Sequence, residues 1–318
     1  MTLNLLLISL FTFVELNCEN LFDCVHDSLK NDYEFVEGGP RHWNFHHYWQ
    51  KLNSISRDIV SCGRDNQGNF MMPDMVALCE VENDSVMRDL TKRSLLRNAR
   101  YEYVITNSPD ERGIDVALMY SPFSFALIST NSFRVEHPKD TRPTRDILYV
   151  SGQIITGDTL HVYVVHAPSR AGGEQSTRSY RMLVAKRLCY AIDSLRQKSP
   201  LAKIIVAGDF NDYADDASLK YIYEHDMENI SSSAMGSNGA KGTYRYKGEW
   251  GSLDQILMSP SFKSAFLDCR INDTKFLIED DETYGGVKPK RFFNGFKYNN
   301  GFSDHLPLVA RFRLNDGL

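Results

Sequence analysis

The 318-residue chain is 42% hydrophobic and 24% charged, a balance that fits a soluble globular protein and leaves ample material for a core. A formal net charge of -5 and an isoelectric point near 6.0 argue against a dedicated nucleic-acid coat protein. They leave room for a hydrolytic enzyme with a local basic patch, because such an enzyme must release its product.

The chain opens on MTLNLLLISLFTFVELN, which has the apolar length of a signal peptide. No Lys or Arg precedes it and no A-x-A site follows, and it is too short and too polar at its end to span a membrane. Its second half, FTFVEL at 11–16, reads as a first strand. The mature chain is therefore expected to be cytoplasmic without stable membrane insertion, with secretion from an upstream start left open.

HHYWQKLNSISRDIVSCG follows as a helix, with Tyr48, Leu52, Ile55 and Ile59 on one face and Gly63 as its stop. The irregular spacing of His42, His46 and His47 suits a packing cluster at the helix entry better than a metal site. DMVALCEV (74–81), YEYVIT (101–106), IDVALMY (114–120), ILYVSGQII (147–155) and LHVYVVHA (160–167) are β-branched runs of strand length. A second helix spans 176–199, with a stripe of Tyr180, Leu183, Val184, Leu188, Ala191, Ile192 and Leu195. Its Arg178, Arg181, Lys186 and Arg187 fall off the stripe and read as a solvated face.

KIIVAGDF (203–210), LDQILMS (253–259) and HLPLVARFRL (305–314) complete the strands, and 229–242 and 278–301 read as irregular loops. The six cysteines form no CxxC pair and no zinc-like spacing, so they read as unpaired thiols packed as small hydrophobes. Many strands and few long helices predict an α+β fold of two packed sheets flanked by helices, one domain over 1–318.

The apolar strands share one oddity: each ends or begins on groups that resist burial. FVELNCEN carries Asn17, Glu19 and Asn20; VALCEVEN carries Glu80, Glu82 and Asn83; VYVVHAPSR carries His166, Ser169 and Arg170. IIVAGDFND supplies Asp209 and Asn211, GSLDQILMS supplies Asp254, and GFSDHLPLV supplies Asp304 and His305. Any one of these is an ordinary turn or helix cap. Together they predict a sheet edge where carboxylates, carboxamides and two imidazoles line a cleft.

The ordered set N-x-E-N, L-C-E-V-E-N, H-A-P-S-R, G-D-F-N-D, L-D-Q-I and S-D-H-L-P resembles the endonuclease/exonuclease/phosphatase superfamily across residues 17 to 307. The resemblance implies a four-layer α/β/β/α sandwich of two mixed β-sheets and Mg2+- or Mn2+-dependent cleavage of phosphate esters. It makes Glu80 the principal metal carboxylate, with Asn17, Asp304 and Glu19 as further metal-associated groups, an oxygen-rich set that suits a hard divalent ion. His305 would activate or orient the attacking water, with Asp254 on its far ring nitrogen. Asp209 would position the nucleophile, Asn211 would donate to phosphoryl oxygens, and His166 would stabilise the transition state or help protonate the leaving oxygen.

Arg112, Arg145, Arg170 and Arg178 are candidate phosphate-binding groups, since the guanidinium fork matches phosphate oxygens. Tyr244 and Trp250 are candidate aromatic contacts to substrate, with packing beneath the site as the other reading. The expected activity is that of a nuclease-like phosphodiesterase acting as a monomer on a phosphate-ester substrate such as DNA or RNA. The alternatives are a phosphomonoesterase or lipid- or inositol-phosphate hydrolase on the same core and, more remotely, a non-catalytic scaffold.

Overall fold

The computed structural model describes residues 8–64, 68–138, 141–170 and 172–315. In chain order these form β1 (Ile8–Leu21), α1 (Phe45–Cys62), β2 (Met75–Val81), α2 (Asp84–Lys92), β3 (Glu102–Ile105) and β4 (Asp115–Tyr120). Then come β5 (Phe125–Phe133), β6 (Ile147–Ile154), β7 (Thr159–His166), α3 (Glu174–Lys198), β8 (Lys203–Asp209), α4 (Ala217–Tyr223) and β9 (Glu228–Asn229). The remainder is β10 (Tyr244–Tyr246), β11 (Glu249–Gly251), β12 (Asp254–Met258), β13 (Phe266–Ile271), β14 (Ile278–Asp280), β15 (Val287–Pro289), β16 (Phe293–Asn294), β17 (Lys297–Tyr298) and β18 (Leu308–Asn315).

Two six-stranded mixed sheets carry the fold. Their strand orders are β13-β18-β1-β2-β4-β3 and β5-β6-β7-β8-β12-β9. Apolar side chains from both sheets, among them Phe13, Ala77, Leu118, Val150, Val162, Ile205, Ile256 and Leu308, fill the space between them. On the far side of the first sheet, Tyr48, Leu52, Ile55 and Ile59 of α1 join Val86, Met87 and Leu90 of α2 over Val14, Leu16, Val76 and Leu78. On the far side of the second, Val184, Leu188 and Ile192 of α3 pack with Leu219 and Ile222 of α4 over Tyr163, Val165, Ile204 and Val206. The result is the expected α/β/β/α sandwich.

Each sheet has one parallel pair among antiparallel neighbours, β1 with β2 and β7 with β8. Both pairs sit mid-sheet and are buried on both faces, which is why their sequences read as continuous apolar runs. Open sheets present ligands at the carboxyl ends of parallel strands. Here those ends carry Asn17 and Glu80 from one sheet, and His166 and Asp209 from the other. The β1–β2 register breaks between Asn17 and Leu21, a bulge that releases Glu19, Asn20 and Glu80 from regular pairing.

Several expectations change in detail. Gly63 ends α1 but keeps φ at −73°, so it is not a left-handed stop. A Cβ there would lie 2.3 Å from the Met71 carbonyl oxygen, so the glycine serves a close approach. Arg181, assigned to a solvated face, is buried: its Nε donates to Asp212 at 2.5 Å and its other nitrogens to Thr177 and the Glu174 carbonyl. Residues 278–301 are not wholly irregular but hold the β14–β15 and β16–β17 hairpins.

The histidine cluster at the start of α1 belongs to an aromatic knot, in which the His47 ring lies 4.5 Å from that of Tyr298 and Trp43 packs on Phe292. All six cysteines are free thiols. The targeting question falls partly on residues 1–7, outside the described residues. Among the described residues, no helix is long and apolar enough to cross a membrane.

Candidate active site

At the carboxyl end of β1, Asn17 reaches across to the second sheet and donates from Nδ2 to Asp209 Oδ2 at 3.0 Å. Its Oδ1 accepts from the Glu19 amide at 2.9 Å, which holds the bulge closed. Glu80, at φ 61°, turns its carboxylate to the same place, accepts from the Asn20 amide at 2.9 Å and lies 3.8 Å from His166 Nε2. Glu19, Asn20 and Asn211 also have positive φ (49°, 58° and 50°). Left-handed backbone costs a non-glycine residue about 1–2 kcal/mol, and this grouping at the strand ends of both sheets is characteristic of a site whose geometry outweighs local comfort.

Close packing of β7 on β8 brings His166 opposite Asp209. It depends on Gly208, whose φ is +144° and whose added Cβ would lie 1.8 Å from the Val165 carbonyl oxygen. The two thus meet with His166 Nε2 3.6 Å from Asp209 Oδ2. Burial, followed by the charges of Arg145 and Arg112, pushes the His166 pKa well down, so its ring is neutral. Asn211 donates its amide N–H to Asp209 Oδ1 at 2.8 Å and its side-chain Nδ2 to the Ala167 carbonyl at 3.0 Å.

On the neighbouring β12, Asp254 pairs with Asp209 in register. Its Oδ2 lies 2.7 Å from His305 Nδ1 and accepts from Thr243 Oγ1 at 2.5 Å. The His305 backbone is fixed as well, since its amide donates to Ser303 Oγ, which in turn donates to the Asn17 carbonyl at 2.6 Å. Burial opposes charge on His305, but Asp254, Asp304 and Asp209 outweigh it and hold the pKa well above the ordinary value. Tyr244 lies 4.9 Å from the His305 ring, packed against it.

Carboxyl groups are crowded here. Burial, then the nearby Asp254, pushes Asp209 up to about 7. Glu15, two residues before Asn17, is fully buried with neither oxygen hydrogen-bonded, and Asp254 Oδ1 is also without a partner. Burial, then Asp254 and Asp209, raises the Glu15 pKa well above the usual carboxylate range. Asp209, Asp254 and His305 each offer a ligand atom within 4.8 Å of the others. The surplus of oxygen donors, uncompensated buried carboxylate and the more open Glu80 (15% exposed) fit a hard divalent cation. Glu80, Asn17 and Asp209 present oxygens that could hold it, those of Asn17 and Asp209 each already accepting one hydrogen bond within the site, whereas Asp254 Oδ2 is committed to His305 and Thr243.

Glu19 and Asp304 stand differently. Arg291 donates from Nε to Glu19 Oε1 at 2.9 Å and lies 3.1 Å from Asp304 Oδ2, so a guanidinium already bridges them. Burial, then Asp304, pushes Glu19 up to about 7 despite Arg291. Sequence reasoning missed Arg291, Glu15, Thr243 and Ser303. The first sits in a loop with no strand signal, and the second was hidden inside an apolar run.

The four arginines are not equivalent. Arg112 is 46% exposed with one loose contact, 3.6 Å to Asp110. Arg145 is buried and committed to the His166 and Ala167 carbonyls and to Asp110, so it fixes the end of β7. Arg170 stacks 4.2 Å over Tyr213 and is held by the Asn211 carbonyl, Glu174, Asp212 and Asp216. Arg178 lies exposed on α3. Trp250 is half-buried against the inter-sheet core with Arg245 above its ring at 5.6 Å.

No curated protein matches the chain. Solved structures of the same fold do. An endonuclease/exonuclease/phosphatase family protein from Bacteroides thetaiotaomicron has a TM-score of 0.61 at 13% identity, covering 96% of this chain and 98% of that one. A mannosyl-6-phosphatase from Bacteroides thetaiotaomicron VPI-5482 has a TM-score of 0.60 at 15% identity, covering 95% and 99%. The human Nocturnin catalytic domain with bound sulfate has a TM-score of 0.56 at 17% identity, covering 96% and 97%. At these identities the likeness speaks for the fold. The model of the Endonuclease/Exonuclease/phosphatase family, in contrast, matches residues 12–313, so the chain belongs to that family and is a hydrolase of phosphate esters.

Proposed function

We propose that the chain is a divalent-metal-dependent phosphodiesterase of the nuclease type, a single domain over 1–318 acting as a monomer. The observation that carries this reading is the Asp254–His305 pair set beside Asp209, Asn17 and Glu80 at the junction of the two sheets. Bound Mg2+ or Mn2+ would polarise a phosphate oxygen and offset charge on the leaving oxygen. Glu80, Asn17 and Asp209 would hold it, with Glu19 and Asp304 as outer groups tied by Arg291.

The chain's own groups supply the rest. His305, its Nδ1 fixed by Asp254, presents Nε2 to take the proton of the attacking water. Asp209 orients that water. Neutral His166 and Asn211 donate hydrogen bonds to phosphoryl oxygens without repelling them. Arg112 is the exposed guanidinium left to meet phosphate, since Arg145 and Arg170 are spent on the protein and Arg178 lies out on α3. So little uncommitted positive charge favours a singly charged diester, such as DNA or RNA, over a dianionic monoester. Tyr244 acts through His305, and Trp250 packs against the inter-sheet core.

A second reading, a phosphomonoesterase, draws support from the likeness to a mannosyl-6-phosphatase. The two separate on a panel of plasmid DNA, RNA, bis-p-nitrophenyl phosphate and sugar or inositol phosphates with Mg2+ or Mn2+. Chelator-sensitive cleavage of diesters with little action on monoesters is expected. Preference for a monoester overturns the first reading in favour of the second.

A further inference from the structure

Helix α1 points Lys51 and Asp58 into the protein, both left unused by the proposed reaction, and the first of them reaches the site loop. Lys51 is fully buried, and its Nζ donates to the Phe302 carbonyl at 2.5 Å and sits 5.2 Å from the Phe292 ring centroid. It makes no ion pair among the described residues, although a buried ammonium without a contacting carboxylate is costly. Both groups it grips belong to the loop that finishes the site. The Phe292 amide donates to Glu19 Oε2 at 3.2 Å, and the adjacent Arg291 bridges Glu19 to Asp304. Phe302 precedes Ser303, which ties Asn17 to the His305 amide.

The ionisable groups that act on Lys51 are Glu19 of β1, Glu80 of β2, Asp304 of the loop and Asp58 of α1 itself, while burial keeps the neighbouring Cys18 thiol neutral. Lys51 therefore lies on the inner side of the acidic cluster and Arg291 on its outer side. We propose that Lys51 is a positioning residue: its ammonium fixes the 291–305 loop to β1 and tempers the negative charge that the centre offers a metal ion. The inference rests on the metal-dependent reading above.

Two consequences of opposite sign follow from removing the charge. The carboxylate centre attracts a cation more strongly, while His305 loses its fixed approach. A side chain that only fills space gives no gain in metal affinity. The test is Mn2+ titration calorimetry, with bis-p-nitrophenyl phosphate hydrolysis at saturating Mn2+, on wild type, Lys51→Met, Lys51→Gln and Lys51→Arg, each checked by circular dichroism.

Lys51→Met is expected to bind Mn2+ on the order of fivefold more tightly and to lose at least about tenfold in kcat, with KM little changed. Lys51→Gln reports the same affinity gain if the methionine variant does not fold, and Lys51→Arg keeps wild-type affinity. Unchanged or weaker Mn2+ binding by the folded neutral variants overturns the inference alone. Wild-type protein that neither binds Mn2+ nor hydrolyses the ester overturns the functional reading and the inference with it.

Discussion

At Glu15 a carboxyl group lies inside the protein with neither oxygen hydrogen-bonded, facing the same interior as Asp254 and Asp209. Asp254, Asp304 and Asp209 in turn set the behaviour of His305, whose proton they retain. Because the His305 pKa is raised, the acid limb of the pH–rate profile is expected above pH 6.5, with activity rising as the imidazolium loses its proton. Asp254→Asn removes one of the charges that raise it, so that limb moves to lower pH, while kcat falls because the ring loses its orienting partner. Steady-state kinetics from pH 5 to 9 measure both. His305→Ala is expected to lose about 10²- to 10⁴-fold in kcat with its circular dichroism spectrum unchanged.

At this scale the sequence was informative about chemistry and poor about commitment. The residue types at the strand ends were visible, and so was their convergence. Which groups were already spent was not. Asn83 caps α2, its side chain accepting from the Val86 amide, and Glu82 accepts from the Asp23 amide. Arg145 and Arg170 look like phosphate binders in one dimension and turn out to brace β7 and the Asn211 turn. Partners far along the chain, such as Asp110 for Arg145 (35 residues) or Asp212 for Arg170 (42 residues), leave no local signature.

Among elements, the strands buried on both faces were the legible ones, because continuous β-branched runs have few other solutions. β5 escaped notice for the converse reason: apart from its ends it is exposed along its length, so FALISTNSF shows no alternation. α2 and α4, nine and seven residues long, are too short for a periodic signal to rise above chance. The bulge in β1 was also invisible, although it aims Glu19 and Glu80.

Gly208 shows the constraint most directly, since any side chain would collide with β7. Gly208→Ala is expected to cost about 3 kcal/mol or more, read by urea unfolding. Its activity should suffer beyond its stability, because His166 and Asp209 move apart when β7 and β8 separate.

For the whole molecule, the crowded carboxyl groups make stability and metal binding depend on pH together. Glu19 and Asp209 are pushed up to about 7 and Glu82 to about 8, in each case chiefly by burial. Above pH 6.5 the folded protein therefore holds more protons than the unfolded chain, and unfolding becomes easier as pH rises toward 8. His305 acts in the same sense; His166, kept neutral, opposes it only below pH 6.5. Chelator-treated protein is expected to melt at a lower temperature at pH 8.5 than at pH 6.5. Mn2+ should narrow that gap by taking the place of the protons. Equal melting temperatures at both pH values without metal would count against this linkage.

The Asn17–Asp209 hydrogen bond joins the two sheets near the weaker contacts of Cys79 Sγ with β7 and β8, beside an interface filled mainly by the apolar core. An apolar interface sets spacing well but has little grip on sideways slip. Catalytic competence thus doubles as a gauge of how the two halves of the sandwich are aligned. A change in the core, far from any phosphate, that slid one sheet by an ångström would leave every strand intact and silence the enzyme.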